Sequence, residues 1–219
     1  MARVAVVLLS GGLDSATCLA WARREGWEAH GLTVDYGQRH AVEVARAAEI
    51  ARHLGAASHR TVAIDLSLLS GSALTDRSVP VPKEPTDGIP VTYVPARNAL
   101  FLSLALGWAE SLGARDLVVG VNAIDYSGYP DCRPSFLRAF EAMAREGTKA
   151  GIEGSAWRVH APLVDLPKVE IVRRALAWGV PIERTVSCYD PDGAGRPCGA
   201  CDACRLRDAA LSEANAPRS

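Results

Sequence analysis

The sequence has no apolar run of transmembrane length, almost no net charge, no internal repeat and no low-complexity tract. Without a membrane-length run, no spanning helix is expected. A formal net charge of −1 gives no general basic field to draw nucleic acid to the surface. The apolar start is short and runs straight into a glycine turn, so a signal peptide is not expected and a cytoplasmic location is. In that compartment disulfides are not expected, and the six cysteines call for metal or chemistry instead. The 219 residues, 48% apolar and 22% charged, suffice for one substantial α/β domain and a small appendage.

The stretch Ser10-Gly11-Gly12-Leu13-Asp14-Ser15 organises the chain. An apolar run of strand length, residues 4–9, precedes it, and a run that reads as helix, residues 16–24, follows it. Strand, glycine turn and helix in that order bring free backbone N–H groups and the positive end of a helix dipole to one point, which suits an anion. Two adjacent glycines let the backbone approach a phosphate with no Cβ in the way. Ser10 and Ser15 add hydroxyl donors. Asp14 suits an anion site only if it holds Mg²⁺ or caps the helix. No lysine lies in the turn, which excludes Gly-x-x-x-x-Gly-Lys-Ser/Thr, and Gly-x-Gly-x-x-Gly is absent too. The six residues resemble the pyrophosphate loop of the ATP pyrophosphatases, which implies cleavage of ATP between its α and β phosphates. An ordinary glycine-rich βα turn is the alternative.

Strands and helices alternate along the rest of the chain. Strands are predicted at residues 3–9, 28–34, 59–64, 116–121 and 157–161, and helices at 15–25, 41–54, 97–111, 135–145 and from Pro167 onward. The fold class is therefore α/β, a doubly wound, Rossmann-like parallel sheet, with residues 3–9 as a central strand buried on both faces. The helices are expected to pack through Val44, Ala48 and Ala51; Leu100, Leu104 and Trp108; Phe136, Phe140 and Met143; and Ile171, Leu176 and Trp178. Asp35-Tyr36-Gly37-Gln38-Arg39-His40 falls at the carboxyl end of the second strand, the edge where open parallel sheets bind ligands. Residues 65–95 carry Pro80, Pro82, Pro85, Pro90 and Pro95, with a turn at Thr86-Asp87-Gly88. A loop of that length is expected to be a lid or dimer contact over the site. The main domain is assigned to residues 1–186.

Cys188, Cys198, Cys201 and Cys204 fall in the remaining segment, residues 187–219. The pair of two-residue spacings, with Gly193, Gly195 and Pro197 to turn the chain back, suits a closed tetrahedral thiolate site. Structural Zn²⁺ is the expected metal, and an iron–sulfur cluster is the rival. Such a segment is too small to fold without its metal. Cys18 reads as a small core residue on the first helix, and Cys132 as pocket lining without a legible activating base.

Together with Val94-Pro95-Ala96-Arg97-Asn98, Tyr129-Pro130-Asp131-Cys132-Arg133-Pro134 and Lys168, these segments resemble the 7-cyano-7-deazaguanine synthase family of queuosine precursor biosynthesis. The resemblance spans residues 3–210, with Ala16 where a Thr is common and Ala96 where a Gly is common. It implies an adenine nucleotide alpha hydrolase-like fold and a ligase that makes the 7-cyano compound from 7-carboxy-7-deazaguanine, ammonia and two ATP. It also implies an ATP site of Leu9, Ser10, Gly11, Gly12, Leu13, Asp14, Ser15, Ala16, Thr17, Cys18 and Leu19. Lys168 and Arg97, with Mg²⁺ held by Asp14, are the candidates for phosphate charge. Tyr36, Gln38, Arg39, Tyr129, Asp131 and Arg133 are the substrate candidates: a tyrosine to stack on the base, Arg133 for its carboxylate, Asp131 for its ring N–H groups. His40 reads as a helix cap. A homodimer acting on small molecules, with no nucleic-acid or membrane partner, is expected. The rivals are an enzyme that adenylates a tRNA base and a zinc-ribbon regulator that binds nucleotides.

Overall fold

Along β1 (Arg3–Leu8), Ala5 and Val7 enter one hydrophobic core, Val6 enters another, and all three are fully buried. A strand apolar on both faces needs a neighbour on each edge and a helix layer on each side. In the computed structural model, β1 pairs in parallel with β2 (Trp27–Asp35) and β4 (Asp116–Val118). With β3 (Ser58–Ala63) and β5 (Arg158–His160), the all-parallel sheet has the order β3-β2-β1-β4-β5. The described residues are 3–38, 42–66, 68–69, 71–76, 78–83, 88–123, 128–192 and 195–216. Arg39, His40, Pro85, Thr86, Asp87 and Gly193 lie outside them.

On one face, α1 (Leu13–Arg24), α2 (Val42–His53), α6 (Lys168–Ala177) and α7 (Asp202–Asn215) bring Leu19, Ile50, Ile171 and Ala210 into one core. On the other, α3 (Arg97–Ser111) and α4 (Pro134–Gly147) bury Leu102, Ala105, Leu137 and Phe140. A short α5 (Lys149–Ile152) precedes β5. Strand order reverses between β1 and β4, so the crevice at their carboxyl ends is the natural ligand site.

The expected strands and helices are present, with β4 and β5 shorter than expected; α5 and α7 were not expected, and several packing faces differ. α2 buries Ala47, Ile50 and Ala51 rather than Val44 and Ala48. α3 buries Asn98, Leu102, Ala105, Leu106 and Ala109, and leaves Leu100 exposed. Its middle, residues 99–109, is apolar at nearly every position, so periodicity gave it no phase, and small alanines face the sheet. α4 turns Met143 outward and Ala144 inward; α6 exposes Leu176 and buries Val172 and Ala175. In the 65–95 stretch, Ala73 and Val81 are buried against Cys188, Cys201 and Cys204.

Candidate active site

The turn between β1 and α1 is held by its own serines. Ser10 N donates to Ser15 Oγ at 3.1 Å, the two hydroxyls lie 3.0 Å apart, and Ser15 Oγ donates to the Gly12 carbonyl at 3.1 Å. Gly12 is the N-cap of α1 and offers no side-chain cap, so the first-turn N–H groups are left for another acceptor. Gly11 has φ +86°, and a Cβ there would sit 2.4 Å from the Glu43 carbonyl oxygen. Gly120, just past β4, lies on the same helix start: its Cβ would stand 3.0 Å from Ser15 N. Val186 N closes the turn by donating to the Gly11 carbonyl at 3.0 Å.

The cation missing from the turn comes from far along the chain. Lys168, the first residue of α6, places Nζ 2.7 Å from each carboxylate oxygen of Asp14, and Asn122 Nδ2 donates to Asp14 Oδ2 at 2.9 Å. Asp14 is thus paired with a lysine and does not cap the helix.

Asp14, Lys168 and Asn122 line a cavity of about 300 Å³. Tyr36, Glu43, Arg97, Phe101, Tyr129 and Cys132 line it too. Burial alone would lower the Arg97 guanidinium, but the Tyr36 hydroxyl, Cys132 and Asp131 beside it raise it above the usual arginine value. Burial raises Tyr36 as well, against the opposing pull of Arg97. Burial pushes the Glu43 carboxyl up to about 7, with Arg97 again pulling the other way. Tyr36 packs against Phe101, with ring centroids 5.2 Å apart. Tyr129 stacks on Tyr93 at 6.2 Å and shares a 2.8 Å hydrogen bond with Thr92, so the end of the 65–95 stretch orients it.

Of the expected ATP residues, Leu9, Ser10, Gly12, Leu13, Asp14 and Ser15 line the cavity. Ala16, Thr17, Cys18 and Leu19 are fully buried in the helix core behind it. Lys168 and Arg97 both line the cavity. Among the substrate candidates, Tyr36, Gln38 and Tyr129 line it, and Gln38 Oε1 accepts from Tyr36 N at 2.9 Å. Asp131 is turned away to the start of α3, where its Oδ2 accepts from Asn98 N at 2.9 Å. Arg133 is exposed before α4, outside the lining. Arg39 lies outside the described residues. Glu43, Phe101, Gly120 and Asn122 were missed. The carboxyl-edge rule that singled out Tyr36 would have reached the two after β4.

The four cysteine sulfurs lie within 4.8 Å of one another, with Cys188 and Cys201 Sγ 4.0 Å apart. Metal–thiolate bonds of about 2.3 Å need a cluster of this size. Backbone N–H groups point at the sulfurs, as thiolates require: Asp190 and Cys198 donate to Cys188, and Ala200 and Cys201 to Cys198. At Cys198, burial works to raise the thiol, but these bonds, with those from the Cys188 and Cys201 side chains, outweigh it and bring it to about 6; burial holds Cys188, at about 11, and Cys204 above the usual thiol value. The group can hold a metal ion. Cys188, Val186, Tyr189, Ala203 and Leu206 also line the cavity, so the cysteine segment forms one of its walls.

The family model for "Queuosine biosynthesis protein QueC" matches residues 4–215. A protein of Thiobacillus denitrificans named 7-cyano-7-deazaguanine synthase is 62% identical over 203 residues, covering 93% of this chain and 91% of that one. One of the same name from Anaeromyxobacter is 63% identical over 218 residues, 97% and 93%. Among solved structures, an NMN synthetase from Francisella tularensis shares the fold with a TM-score of 0.52 at 18% identity, over 99% of this chain and 79% of that one. A 4-thiouridine synthetase solved with RNA and ATP does so with 0.56 at 20%, over 96% and 53%. A glycine turn with a distant lysine, a closed cysteine quartet and a family match across nearly all of the sequence lead to one conclusion: the chain belongs to the family of the queuosine biosynthesis protein QueC.

Proposed function

We propose that this protein is a ligase that converts 7-carboxy-7-deazaguanine, ammonia and two ATP into 7-cyano-7-deazaguanine, releasing AMP and pyrophosphate twice. A carboxylate resists ammonia because its leaving group is oxide. Transfer of AMP to an oxygen makes AMP the leaving group, and ammonia then gives the amide. A second adenylation, on the amide oxygen, lets AMP depart again and leaves the nitrile. The observation that carries the reading is the uncapped N-terminus of α1 at the glycine turn, with Lys168 held beside it by Asp14. It supports a site that grips pyrophosphate as it leaves.

Lys168 and the first-turn N–H groups take the outer phosphates in this reading, and Arg97 takes charge developing at the acceptor end. Mg²⁺ bound with ATP would neutralise further phosphate charge. Tyr36, Phe101 and Tyr129 offer flat faces for the base, with Gln38 among its polar contacts. The four cysteines hold Zn²⁺ in a structural role, supported by the all-sulfur donor set. Residues 187–219 are a segment ordered by that metal on a main domain of residues 1–186, and the 65–95 stretch is a cover resting on it. The same reading makes the protein a cytoplasmic homodimer with small-molecule partners, supported by the family resemblance and a net charge of −1. Incubation with ATP, an ammonium salt and the carboxy acid, followed by mass spectrometry, tests the function. The nitrile with AMP is the expected product, and ADP in place of AMP defeats the reading.

A further inference from the structure

One carboxyl group of the cavity has no part in those roles. Glu43 stands in the first turn of α2 and lines the cavity beside Arg97 and Tyr36. Its carbonyl is packed on Gly11, which ties its position to the glycine turn. Both substrates of the proposed reaction are anions, so a third negative group here works against their binding. A neutral side chain would serve better unless the carboxylate itself reacts.

The proposed function, on which this inference rests, takes protons from nitrogen in both rounds. Ammonium has no lone pair until a proton leaves. When ammonia attacks the adenylated acid, a C–N bond forms, the C–O bond to AMP breaks, and nitrogen sheds a proton. In the second round nitrogen sheds both of its remaining protons, one as the amide oxygen is adenylated and the other as the C–O bond to AMP breaks and the C≡N bond is completed. Two other carboxylates of the region are committed: Asp14 to Lys168 and Asn122, and Asp131 to Asn98. We propose that the Glu43 carboxylate accepts these protons, first from the ammonium nitrogen and then from the adenylated amide.

Among the described residues, the charged and titratable groups facing it are Arg97 from α3 and Tyr36 from just past β2. Arg97 favours the carboxylate, Tyr36 is a neutral phenol, and burial outweighs Arg97 to leave Glu43 near 7. Both forms are then populated at neutral pH, as a proton acceptor that must also reset requires.

Glu43→Gln in the full-length protein tests this. AMP release with ammonium is expected to fall roughly 100-fold or more at pH 7. The deficit should shrink as pH rises, because free ammonia then arrives already deprotonated, and the loss should show in KM for ammonium more than in KM for ATP. Hydroxylamine, largely unprotonated at neutral pH, should still trap the adenylated acid as the hydroxamate in the variant, and Glu43→Asp should recover part of the ammonium-dependent rate. Equal loss of hydroxamate and amide overturns the proposal, as does a loss that does not vary with pH, or no loss. Wild-type protein that makes no hydroxamate and no AMP from this acid defeats the function reading and takes the proposal with it.

Discussion

Asp14 and Lys168 are each less than a fifth exposed, and neither is well placed without the other. Lys168→Ala removes the cation held by Asp14 at the glycine turn, and turnover is expected to fall about 100- to 1000-fold, as for loss of one transition-state donor. Asp14 is then left with Asn122, so a stability loss of about 1–2 kcal/mol should accompany it. Circular dichroism and metal analysis check that the variant stays folded and loaded; near-normal turnover would clear Lys168 of the role. Glu43 carries a second prediction. Its folded value of about 7 stands above the ordinary 4.5, so the fold disfavours the carboxylate form. That costs nothing below pH 4.5, grows as pH rises toward 7, and is constant above. Glu43→Gln should therefore raise the melting temperature at pH 8, by up to about 3 kcal/mol of stability, and leave it nearly unchanged at pH 4. A larger gain at acid pH would contradict the burial of this group. Asp14 was legible as an oddity in an anion site, but its partner was not: Lys168 lies 154 residues away, and no local spacing encodes the contact.

At the scale of elements, the entry to α3 holds the clearest conflict between local preference and fold. Ala96, its N-cap, has φ +54°, the one positive value among the described residues other than glycine. The left-handed region costs an alanine about 1–2 kcal/mol, part of which a glycine gives back as extra freedom in the unfolded chain. Ala96→Gly should stabilise the protein by roughly 0.5–1 kcal/mol with activity kept, read by urea denaturation. Destabilisation would mean that the methyl group packs better than its backbone suffers. Here the sequence was informative, because a glycine is common at this place in the resembling family. Elsewhere most elements could be read, α7 excepted, and their faces could not. β1 declares itself by being apolar from Val4 onward, whereas the middle of α3 is apolar nearly all round, and only the sheet decides that Ala105 and Ala109 face inward rather than Leu100. The glycine turn was legible because strand, turn and helix are contiguous; Gly120 was not, since its need for a bare Cα comes from α1 pressing on it.

At the scale of the molecule, the cysteine segment and the cavity share a wall. Cys188 faces both, and Ala73 and Val81 from the 65–95 stretch rest on the cysteines. Lys83 adds a 2.9 Å ion pair to Asp190 across the same contact. Stripping the metal with a strong chelator should therefore lower the melting temperature, by about 2–4 °C per kcal/mol lost, and weaken ATP binding about tenfold or more. Calorimetry reads both; unchanged ATP affinity after metal loss would show that the wall stands without it. Cys18→Ala should leave metal content intact, because its thiol donates to the Val119 carbonyl inside the core, away from the quartet.

The distance in sequence between Asp14 and Lys168 also sets an order of events at the ribosome. A nascent chain that has emerged through β1, α1 and β2 carries the Asp14 carboxylate with no counter-charge, and its glycine turn still lacks the supports that Glu43, Gly120 and Val186 bring. The cradle is therefore completed only when residues beyond α6 have been made, so a half-made polypeptide holds the turn without the contacts that close it.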